Sequence, residues 1–226
     1  MSTSVHIACP FPSHMQLSPW RLDRPEFASI LAIVREQRYQ RGATLYTPGT
    51  LLDEIFIVKS GLLRLYIISP QGKELSLPAF GPGTMVCEQA LFNEKLSYAC
   101  AEAVGEVTVY CLSKADLEAV LQSDSRLMLL AYKTMAAKLD YIMACLHVFM
   151  LQDMEQKVLW VLRQLAATGR GGAEKREGLS VKVTHEQLAA MIGASRSAVT
   201  QCLDAMAAAG IITKSRGRIT LSELAG

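Results

Sequence analysis

Signatures of the common enzyme and metal-site classes are missing from this chain of 226 residues. It contains no HExxH, no Walker-type GK[ST] and no Cys/His or Ser/His/Asp pattern of the kind that marks a nucleophile and its base. Its six cysteines are scattered, without a CxxC pair or a zinc-like spacing, so neither a metal site nor a disulfide framework is predicted. A protein that is not an enzyme and holds no metal is therefore expected.

Long apolar runs and a strong net charge are also absent. No uninterrupted stretch of about 18 apolar residues occurs, so neither a membrane span nor a membrane partner is expected. The net charge is only +2, which indicates no partner by itself. Scattered cysteines without a recognisable secretory signal are typical of reduced thiols in the cytoplasm, where we expect the protein to act.

Apolar residues make up half of the chain, enough for one large domain or for two small ones. From Asp153 onward, ten Lys/Arg residues stand against seven Asp/Glu. This small basic excess in the C-terminal part is compatible with binding to nucleic acid but does not establish it.

The longest periodic pattern lies between Arg126 and Gln152. Apolar residues recur there at alternating steps of four and three, and no proline or glycine intervenes. This spacing places them on one stripe of a helix, as in a helix-pairing seam. The stripe consists of Met128, Tyr132, Met135, Leu139, Ile142, Leu146 and Phe149. We predict a long dimerisation helix that joins a sensor domain to an effector domain; a core helix of a single domain is the alternative.

A glycine-punctuated segment, 26–123, precedes this helix. Short apolar runs alternate with Gly- and Pro-containing turns, which is typical of a small β-barrel or sandwich. The predicted strands are Ala43–Tyr46, Glu54–Val58, Leu62–Ile68, Glu74–Phe80, Tyr98–Ala103 and Val107–Leu112. Helices are predicted at Glu26–Arg38 and at Ser113–Gln122, the second one capped by Ser113. Residues 1–25 contain four prolines and are expected to form an irregular arm.

The most specific local signals lie in the C-terminal part. Thr184 begins a capping box, Gly193 supplies a turn, and Ser195 caps a second helix. Gly210 is placed to end that helix in a left-handed conformation. Two helices joined by a tight glycine turn form a helix-turn-helix unit. The basic residues that follow lie in two short predicted strands, which together are typical of a wing.

A helix-turn-helix places the first turn of its second helix against base edges in the major groove of DNA. Arg196 can donate two hydrogen bonds to a guanine, and Gln201 can contact an adenine or a phosphate. Nearby hydroxyl and basic side chains suit phosphate oxygens. The predicted DNA contacts are Thr184, His185, Ser195, Arg196, Ser197, Thr200, Gln201, Lys214, Arg216 and Arg218. A solvated polar face is the alternative for any single residue, but cap, turn, terminal glycine and basic wing together favour DNA.

Three stretches resemble the CRP/FNR family of transcription factors. Ile55–Leu62 and Gly83–Glu88 are similar to a strand-turn piece and to the phosphate-cradling turn of the family's cyclic-nucleotide-binding fold. Ile192–Gln201 is similar to the family's recognition motif, G-x-S-R-E-T-V-x-R. The resemblance implies that Arg196 reads guanine. It also implies a different operator from the usual one, because Ser197 replaces a glutamate and a glutamine replaces the second arginine.

The sensor part departs from the family's nucleotide-binding version where the cyclic phosphate would lie. The family's Gly-Glu-Leu is Cys-Glu-Gln at 87–89, and its Arg-Ser-Ala is Ser-Tyr-Ala at 97–99. No arginine occurs from Met85 to Gln122, so a buried phosphate would lack its counter-charge. Cyclic AMP is therefore not expected as the ligand. The effector pocket that the resemblance implies is lined by Cys87, Glu88, Ser97, Tyr98, Ile142 and Met143.

Apolar walls with a few polar groups suit a small organic effector. An aromatic compound is preferred, because a branch of the family that responds to halogenated phenols also lacks the nucleotide signature. Haem held by His147 or by His6, Cys9 or His14 of the arm is an alternative, as are control by thiol oxidation and a constitutive DNA binder without ligand. An iron–sulfur cluster is not expected, because the arm has one cysteine only.

These patterns predict an α+β chain in four parts. They are the arm (1–25), a jelly-roll-like β-roll that senses an effector (26–123), the dimerisation helix (124–152) and a winged helix-turn-helix domain (153–226). The expected function is a homodimeric transcription regulator whose effector binds between the β-roll and the long helix. The expected partners are double-stranded DNA with a palindromic operator, a second copy of the chain, and RNA polymerase.

Overall fold

The computed structural model describes residues 20–77, 80–88, 96–167 and 179–222. Its helices are α1 (Ala28–Leu31), α2 (Lys114–Ser123), α3 (Ser125–Leu151), α4 (Met154–Ala167), α5 (His185–Ile192) and α6 (Arg196–Ala208). Its strands are β1 (Arg35–Tyr39), β2 (Thr44–Tyr46), β3 (Glu54–Ser60), β4 (Leu63–Ile68), β5 (Glu74–Ser76), β6 (Met85–Val86), β7 (Cys100–Ala103), β8 (Val107–Ser113), β9 (Ser180–Lys182), β10 (Ile212–Ser215) and β11 (Arg218–Leu221). Two compact units divide within α3. We call them the roll unit, described from residue 20 to 136, and the helix-turn-helix unit, described from residue 137 to 222.

Two antiparallel four-stranded sheets form the β-roll. One has the strand order β1-β8-β3-β6 and the other β2-β7-β4-β5. Apolar side chains of both sheets join in one cluster, with Phe56 and Val109 from the first sheet and Leu63 and Ala101 from the second. The predicted β-roll followed by a long helix and a helix-turn-helix is confirmed.

β3 is apolar over its central residues, Ile55–Val58, because both faces of its sheet are covered there. Ile55 and Ile57 belong to a cluster that also includes residues of α1, α2 and α3. Phe56 and Val58, which point to the opposite face, belong to the cluster between the two sheets. A strand with a single buried face would instead alternate apolar and polar residues.

The predicted helix Glu26–Arg38 is wrong over its second half. Helical residues end at Leu31, and Arg35–Tyr39 forms β1, which pairs antiparallel with β8. The charged sequence of this strand carries no β pattern of its own. The hydrogen-bonding edge of β8 decides its conformation, and such pairing is not contained in local propensity.

The predicted arm ends earlier than expected. Its first nineteen positions lie outside the described residues, and Trp20 is already part of the core, with 1% of its surface exposed. Trp20 Nε1 donates to Thr134 Oγ1 at 3.1 Å, and Thr134 Oγ1 donates to Leu130 O at 2.8 Å. These bonds tie the segment before α1 to α3, although Trp20 and Thr134 are 114 positions apart.

The turn between β3 and β4 requires glycine for two reasons. Gly61 has a φ of 81°, a left-handed conformation that L side chains rarely adopt. A Cβ at this position would also lie 2.3 Å from the backbone oxygen of Glu106. The turn that the sequence predicts here is therefore confirmed. The close approach of the Glu106 backbone, which also requires a glycine, is not visible in the sequence.

α3 confirms the predicted long helix. Residues such as Leu127, Tyr141 and Val148 are buried along one of its faces. The predicted stripe lies largely on another face, with exposed fractions of 42% for Met128, 74% for Tyr132, 61% for Leu139, 48% for Ile142 and 51% for Leu146, while Met135 and Phe149 are half-buried. Within the described part of one chain, this stripe therefore remains an apolar surface open to a partner.

Length and composition alone would allow α3 to cross a membrane. The expectation of no membrane span rested on uninterrupted apolar runs, whereas α3 is apolar enough on average despite its interruptions. Only 28% of its most apolar window is buried. A helix that presents an apolar stripe to a second helix meets the same criterion, so this property does not separate a lipid partner from a protein partner.

The helix-turn-helix unit combines three helices with a small sheet. α4, α5 and α6 each contribute a fully buried leucine, Leu162, Leu188 and Leu203 respectively. The sheet has the strand order β10-β11-β9, so the predicted two-stranded wing is extended by a third strand. β9 was missed because three residues, Ser180–Lys182, are too short to carry a recognisable β pattern.

Candidate nucleic-acid interface and sensor residues

α5 begins at the predicted capping box. Thr184 Oγ1 accepts a hydrogen bond from Gln187 N at 3.1 Å, and Thr184 N donates to Gln187 Oε1 at 3.0 Å. The first turn of a helix cannot pair its own backbone N–H groups, so the box satisfies donors that would otherwise need water. Thr184 remains exposed at the start of α5.

The turn between α5 and α6 depends on Gly193, which has a left-handed φ of 73°. Its N–H donates to Ala189 O at 2.9 Å and closes α5. Ser195 then caps α6, because its Oγ accepts from Ala198 N at 3.2 Å. Ser195 Oγ also lies 3.0 Å from Ser197 Oγ, so two of the hydroxyls predicted for DNA lie side by side at the start of α6.

α6 has one apolar face and one polar face. Val199, Leu203 and Met206 are no more than 1% exposed. Arg196 and Gln201 are exposed, and the Arg196 side chain retains 72% of its accessible surface. α6 therefore buries its apolar residues and leaves Arg196 and Gln201 on an accessible face.

A chain of two hydrogen bonds joins the starts of α5 and α6. His185 Nδ1 lies 2.8 Å from Thr200 Oγ1, and Thr200 Oγ1 donates to the backbone oxygen of Arg196 at 2.9 Å. Nδ1 of His185 is therefore engaged with Thr200 within the chain, whichever of the two atoms donates.

The three basic side chains of the wing are held differently. Lys214 forms an ion pair with Asp204 of α6. Arg218 Nη1 donates to Ser180 Oγ of β9 at 3.3 Å. Arg216 lies exposed in the turn between β10 and β11. Two of the three cations are therefore braced against neighbouring elements, and the third stands at the tip.

A surface cavity of about 300 Å³ opens between the starts of α5 and α6 and the wing. It is lined by Val183, Thr184, His185, Glu186, Arg196, Lys214, Ser215, Gly217, Arg218 and Ile219. Five of the ten predicted DNA contacts thus surround one cavity, whereas Ser195, Ser197, Thr200, Gln201 and Arg216 lie outside its lining. Arg196, Lys214 and Arg218 face two nearby carboxylates, Glu186 and the Asp204 that pairs with Lys214, so a small positive excess remains to attract a polyanion.

Glu186 is a lining residue that the sequence analysis missed. Its carboxylate lies 4.0 Å from Arg196 Nε, with 76% of the glutamate side chain exposed. An acidic residue in the first turn of a helix is ordinarily explained by its interaction with the helix dipole, so Glu186 was not assigned a function from the sequence. The signal that could have found it is geometric, because the first turns of both helices converge in a helix-turn-helix.

Family models match both halves of the chain. A model of the cyclic nucleotide-binding domain matches residues 36–124, and a model of the Crp-like helix-turn-helix domain matches residues 156–226. The chain belongs to the CRP/FNR family of transcription regulators. It therefore combines a DNA-binding helix-turn-helix with a sensor domain of the cyclic-nucleotide-binding fold.

Named relatives and a solved structure support the family assignment. The chain is 27% identical over 198 residues to the cyclic AMP receptor protein of Thermus thermophilus, a match that covers 86% of this chain and 87% of that protein. It is 25% identical over 187 residues to the anaerobic regulatory protein of Bacillus subtilis, covering 80% and 77%. The solved structure of a CRP/FNR-family transcriptional regulator from Thermus thermophilus has a TM-score of 0.73 at 25% identity, covering 85% and 95%. These relatives are transcription regulators, and none of the similarities assigns a ligand to this member.

In this CRP/FNR regulator, Cys87 has a backbone suited to glycine. Its φ is 71°, and only 2% of its surface is exposed. A side chain in this left-handed conformation costs about 1–2 kcal/mol. Glu88, the next predicted effector residue, is 6% exposed, and the positions that follow it, 89–95, lie outside the described residues.

The other predicted effector residues are placed in different ways. Ser97 Oγ donates to Ala99 O at 2.8 Å, so this hydroxyl is engaged within its own turn. Tyr98 is 77% exposed. Ile142 and Met143 belong to the part of α3 in the helix-turn-helix unit, and each is about half exposed. A pocket that all six residues share remains a prediction.

The described residues offer little support for thiol or haem control. Burial raises the pKa of Cys111 to about 11 and that of Cys145 to about 12, so these thiols are protonated and poorly reactive near neutral pH. His147 Nε2 lies 3.1 Å from the side-chain nitrogen of Gln152, which can only donate. The lone pair that an iron ligand would need is therefore already engaged. Within the described ranges, no group of three or more His, Cys, Asp or Glu side chains could hold a metal ion.

Proposed function

We propose that this chain acts as a homodimer that reads a palindromic operator, with Arg196 recognising a guanine in each half-site. The observation that carries this proposal is the first turn of α6, where Arg196 is 72% exposed at the rim of a cavity rich in cations. An arginine in this position can form two hydrogen bonds with guanine, and the surrounding cations suit the phosphate backbone. The remaining predicted contacts, apart from His185 and Thr200, support both roles.

The dimer is proposed to form through the exposed stripe of α3. Five of its seven residues leave between 42% and 74% of their surface uncovered in one chain. Two such stripes, repeating every seven residues, can cover each other along a coiled-coil seam. This use of the stripe also explains the high hydropathy of α3 without a membrane.

Replacing Leu139 with lysine tests this dimer. The change places two charges opposite each other in the seam, so we expect a monomer in analytical ultracentrifugation where the wild type is a dimer. Met150 is 75% exposed one position off the stripe, and Met150→Lys is the matched control that should remain dimeric. A wild-type monomer, or a dimer that Leu139→Lys leaves intact, would contradict the proposal.

The effector is proposed to be a small organic molecule, preferably aromatic, and not cyclic AMP. Within the matched nucleotide-binding domain, Arg64 lies between Glu74 and Glu102, at 2.5 and 2.9 Å, so its charge is already compensated. This observation disfavours an anionic ligand that would need Arg64 as its counter-charge.

DNA reading is tested by selecting binding sites from a random duplex library with the purified protein. We expect a palindrome whose half-sites lie about 34 Å apart, and an affinity that falls with salt as counterions are released. Fluorescence anisotropy then compares the selected duplex with a random one. Enrichment of no sequence, or equal affinity for both duplexes, would overturn the proposal.

The sensor is tested by thermal unfolding with cyclic AMP, haem and a panel of substituted phenols. A ligand at about 100 times its Kd stabilises the folded state by about 2.7 kcal/mol, which corresponds to a shift of several degrees. We expect such a shift with a member of the aromatic panel. A shift with cyclic AMP alone would contradict the proposed ligand class and leave the DNA-binding proposal intact. RNA polymerase is the proposed protein partner, and the cytoplasm is the proposed location.

A further inference from the structure

The first residue of α5 is hydrogen-bonded to Thr200, the fifth residue of the recognition helix α6, whose hydroxyl reaches back to the first turn. His185 Nδ1 and Thr200 Oγ1 are 2.8 Å apart, and Thr200 Oγ1 lies 2.9 Å from the backbone oxygen of Arg196. Both side chains are half-buried, so water competes with these bonds less than on an open surface. The contact connects two helices through side chains that are 15 positions apart.

The contact with Thr200 distinguishes the two nitrogens of His185. Nδ1 is engaged with Thr200 Oγ1, whichever of the two atoms donates. Nε2 is the only ring nitrogen left for a group outside this chain. If His185 positions α6, it does so through Nδ1. If it bound a phosphate, it would do so through Nε2.

The start of α6 needs such support because it carries the guanine-reading side chain. The first N–H groups of a helix have no partners within the helix, so its first turn frays readily. The Ser195 cap satisfies one of these groups, and the bond from His185 holds the same turn from a second helix. The direction of the Cα–Cβ bond of Arg196 follows from the geometry of this turn.

We propose that His185 is a positioning residue for sequence reading, acting through Thr200 on the first turn of α6, and not a phosphate contact. The inference rests on the proposed reading of guanine by Arg196. Arg196, Lys214 and Arg218 already supply the cavity with three cations, and Glu186 is its acidic residue. Phosphate binding at the cavity therefore does not depend on the imidazole.

Two substitutions of His185 separate the two nitrogens. The side-chain nitrogen of asparagine occupies a position close to Nδ1, so His185→Asn can keep the bond to Thr200 while removing Nε2. The side-chain amide of glutamine reaches the position of Nε2, so His185→Gln keeps a polar group there and removes the group that bonds to Thr200. Both variants of the full-length protein are titrated with the selected and the random duplex, at mildly alkaline pH and several salt concentrations.

We expect His185→Gln to lower the preference for the selected duplex by about three- to tenfold, the equivalent of one lost hydrogen bond. His185→Asn should retain the wild-type preference. The dependence of affinity on salt should be unchanged in both, because no phosphate contact is lost. The opposite pattern, with His185→Asn weakening both duplexes and flattening the salt dependence, would overturn the proposal.

Thr200 provides the matched control on the other side of the bond. Thr200→Ser keeps the hydroxyl and should retain the preference, whereas Thr200→Val has the same shape without a donor or acceptor and should reduce it as His185→Gln does. Unfolding temperatures of all variants show whether the unit remains folded. If the wild type itself does not distinguish the two duplexes, the proposed function fails; if it does and His185→Gln leaves the preference intact, only this inference fails.

Discussion

Arg64 of the roll unit and Arg196 of the helix-turn-helix unit are held in different ways. In the roll unit, Arg64 is bonded to Glu74 and Glu102 and lies over the ring of Tyr66, at 4.2 Å from the ring centroid. In the helix-turn-helix unit, Arg196 is largely exposed, and the carboxylate of Glu186 lies 4.0 Å away on the same surface. A compensated cation stabilises a fold, whereas an exposed one is available to DNA.

The two units also differ in how their elements are specified. The capping residue of each of α5 and α6 accepts a hydrogen bond from the backbone N–H three positions further along the chain. A glycine in the left-handed conformation lies between the two helices. β1 and β3 depend on strand partners far along the chain, such as the pairing of Arg35 with Cys111. Function that rests on local signals is therefore easier to infer than function that rests on a pocket assembled from distant segments.

Arg196→Ala should produce the largest effect and is the direct test of the exposed arginine. Loss of the guanine contact is expected to reduce the preference for the selected duplex by about 1–3 kcal/mol for each half-site. Binding to random DNA should persist and remain sensitive to salt, because other cations contact the phosphates. Equal losses on both duplexes, measured by fluorescence anisotropy, would show that Arg196 contributes charge and no base reading.

Arg64→Ala should produce the next largest effect, on stability and not on DNA binding. The change leaves Glu74 and Glu102, whose side chains are 28% and 22% exposed, without their shared cation, and we expect a loss of about 2–3 kcal/mol of unfolding free energy. Arg216→Ala at the exposed wing tip is the control and should cost less than about 0.5 kcal/mol. Chemical denaturation measures the unfolding free energy of both variants. Comparable losses in Arg64→Ala and Arg216→Ala would show that the ion pairs of Arg64 do not stabilise the fold.

Thr134→Val tests a connection that no local pattern contains. Valine preserves the shape of threonine but leaves the buried Nε1 of Trp20 without its acceptor, at a cost of about 1–3 kcal/mol. The loss should appear in the unfolding of the roll unit, with DNA affinity measured as a control. Trp20→Phe combined with Thr134→Val removes donor and acceptor together. If that pair of changes shows no coupling, the hydrogen bond contributes little.

Glu186→Gln should produce the smallest effect. Removing the carboxylate frees Arg196 and takes a negative charge from the DNA-facing cavity, so we expect tighter binding to random DNA by up to about 1 kcal/mol per protomer. Glu118→Gln on α2 of the roll unit is the control for the change in net charge. An unchanged affinity for random DNA would mean that the exposed pair with Arg196 is fully screened.

The recognition helix and the long helix could be predicted from the amino-acid sequence. Ser195, Gly193 and the apolar positions Val199, Leu203 and Met206 act within a few residues of one another, and the stripe of α3 is a simple repeat. Such features are specified by 3.6-residue periodicity and by hydrogen bonds within one or two turns. For the same reason, the exposed position of Arg196 could be predicted without coordinates.

The contacts between residues of different elements became apparent only in the folded chain. β1 became a strand through its pairing with β8, and Trp20 joined the core through Thr134. His185 reached Thr200, and Glu186 approached Arg196, because a turn brought the first residues of two helices together. Contacts of this kind depend on packing between segments that are distant in the chain, and neither periodicity nor capping signals encode them.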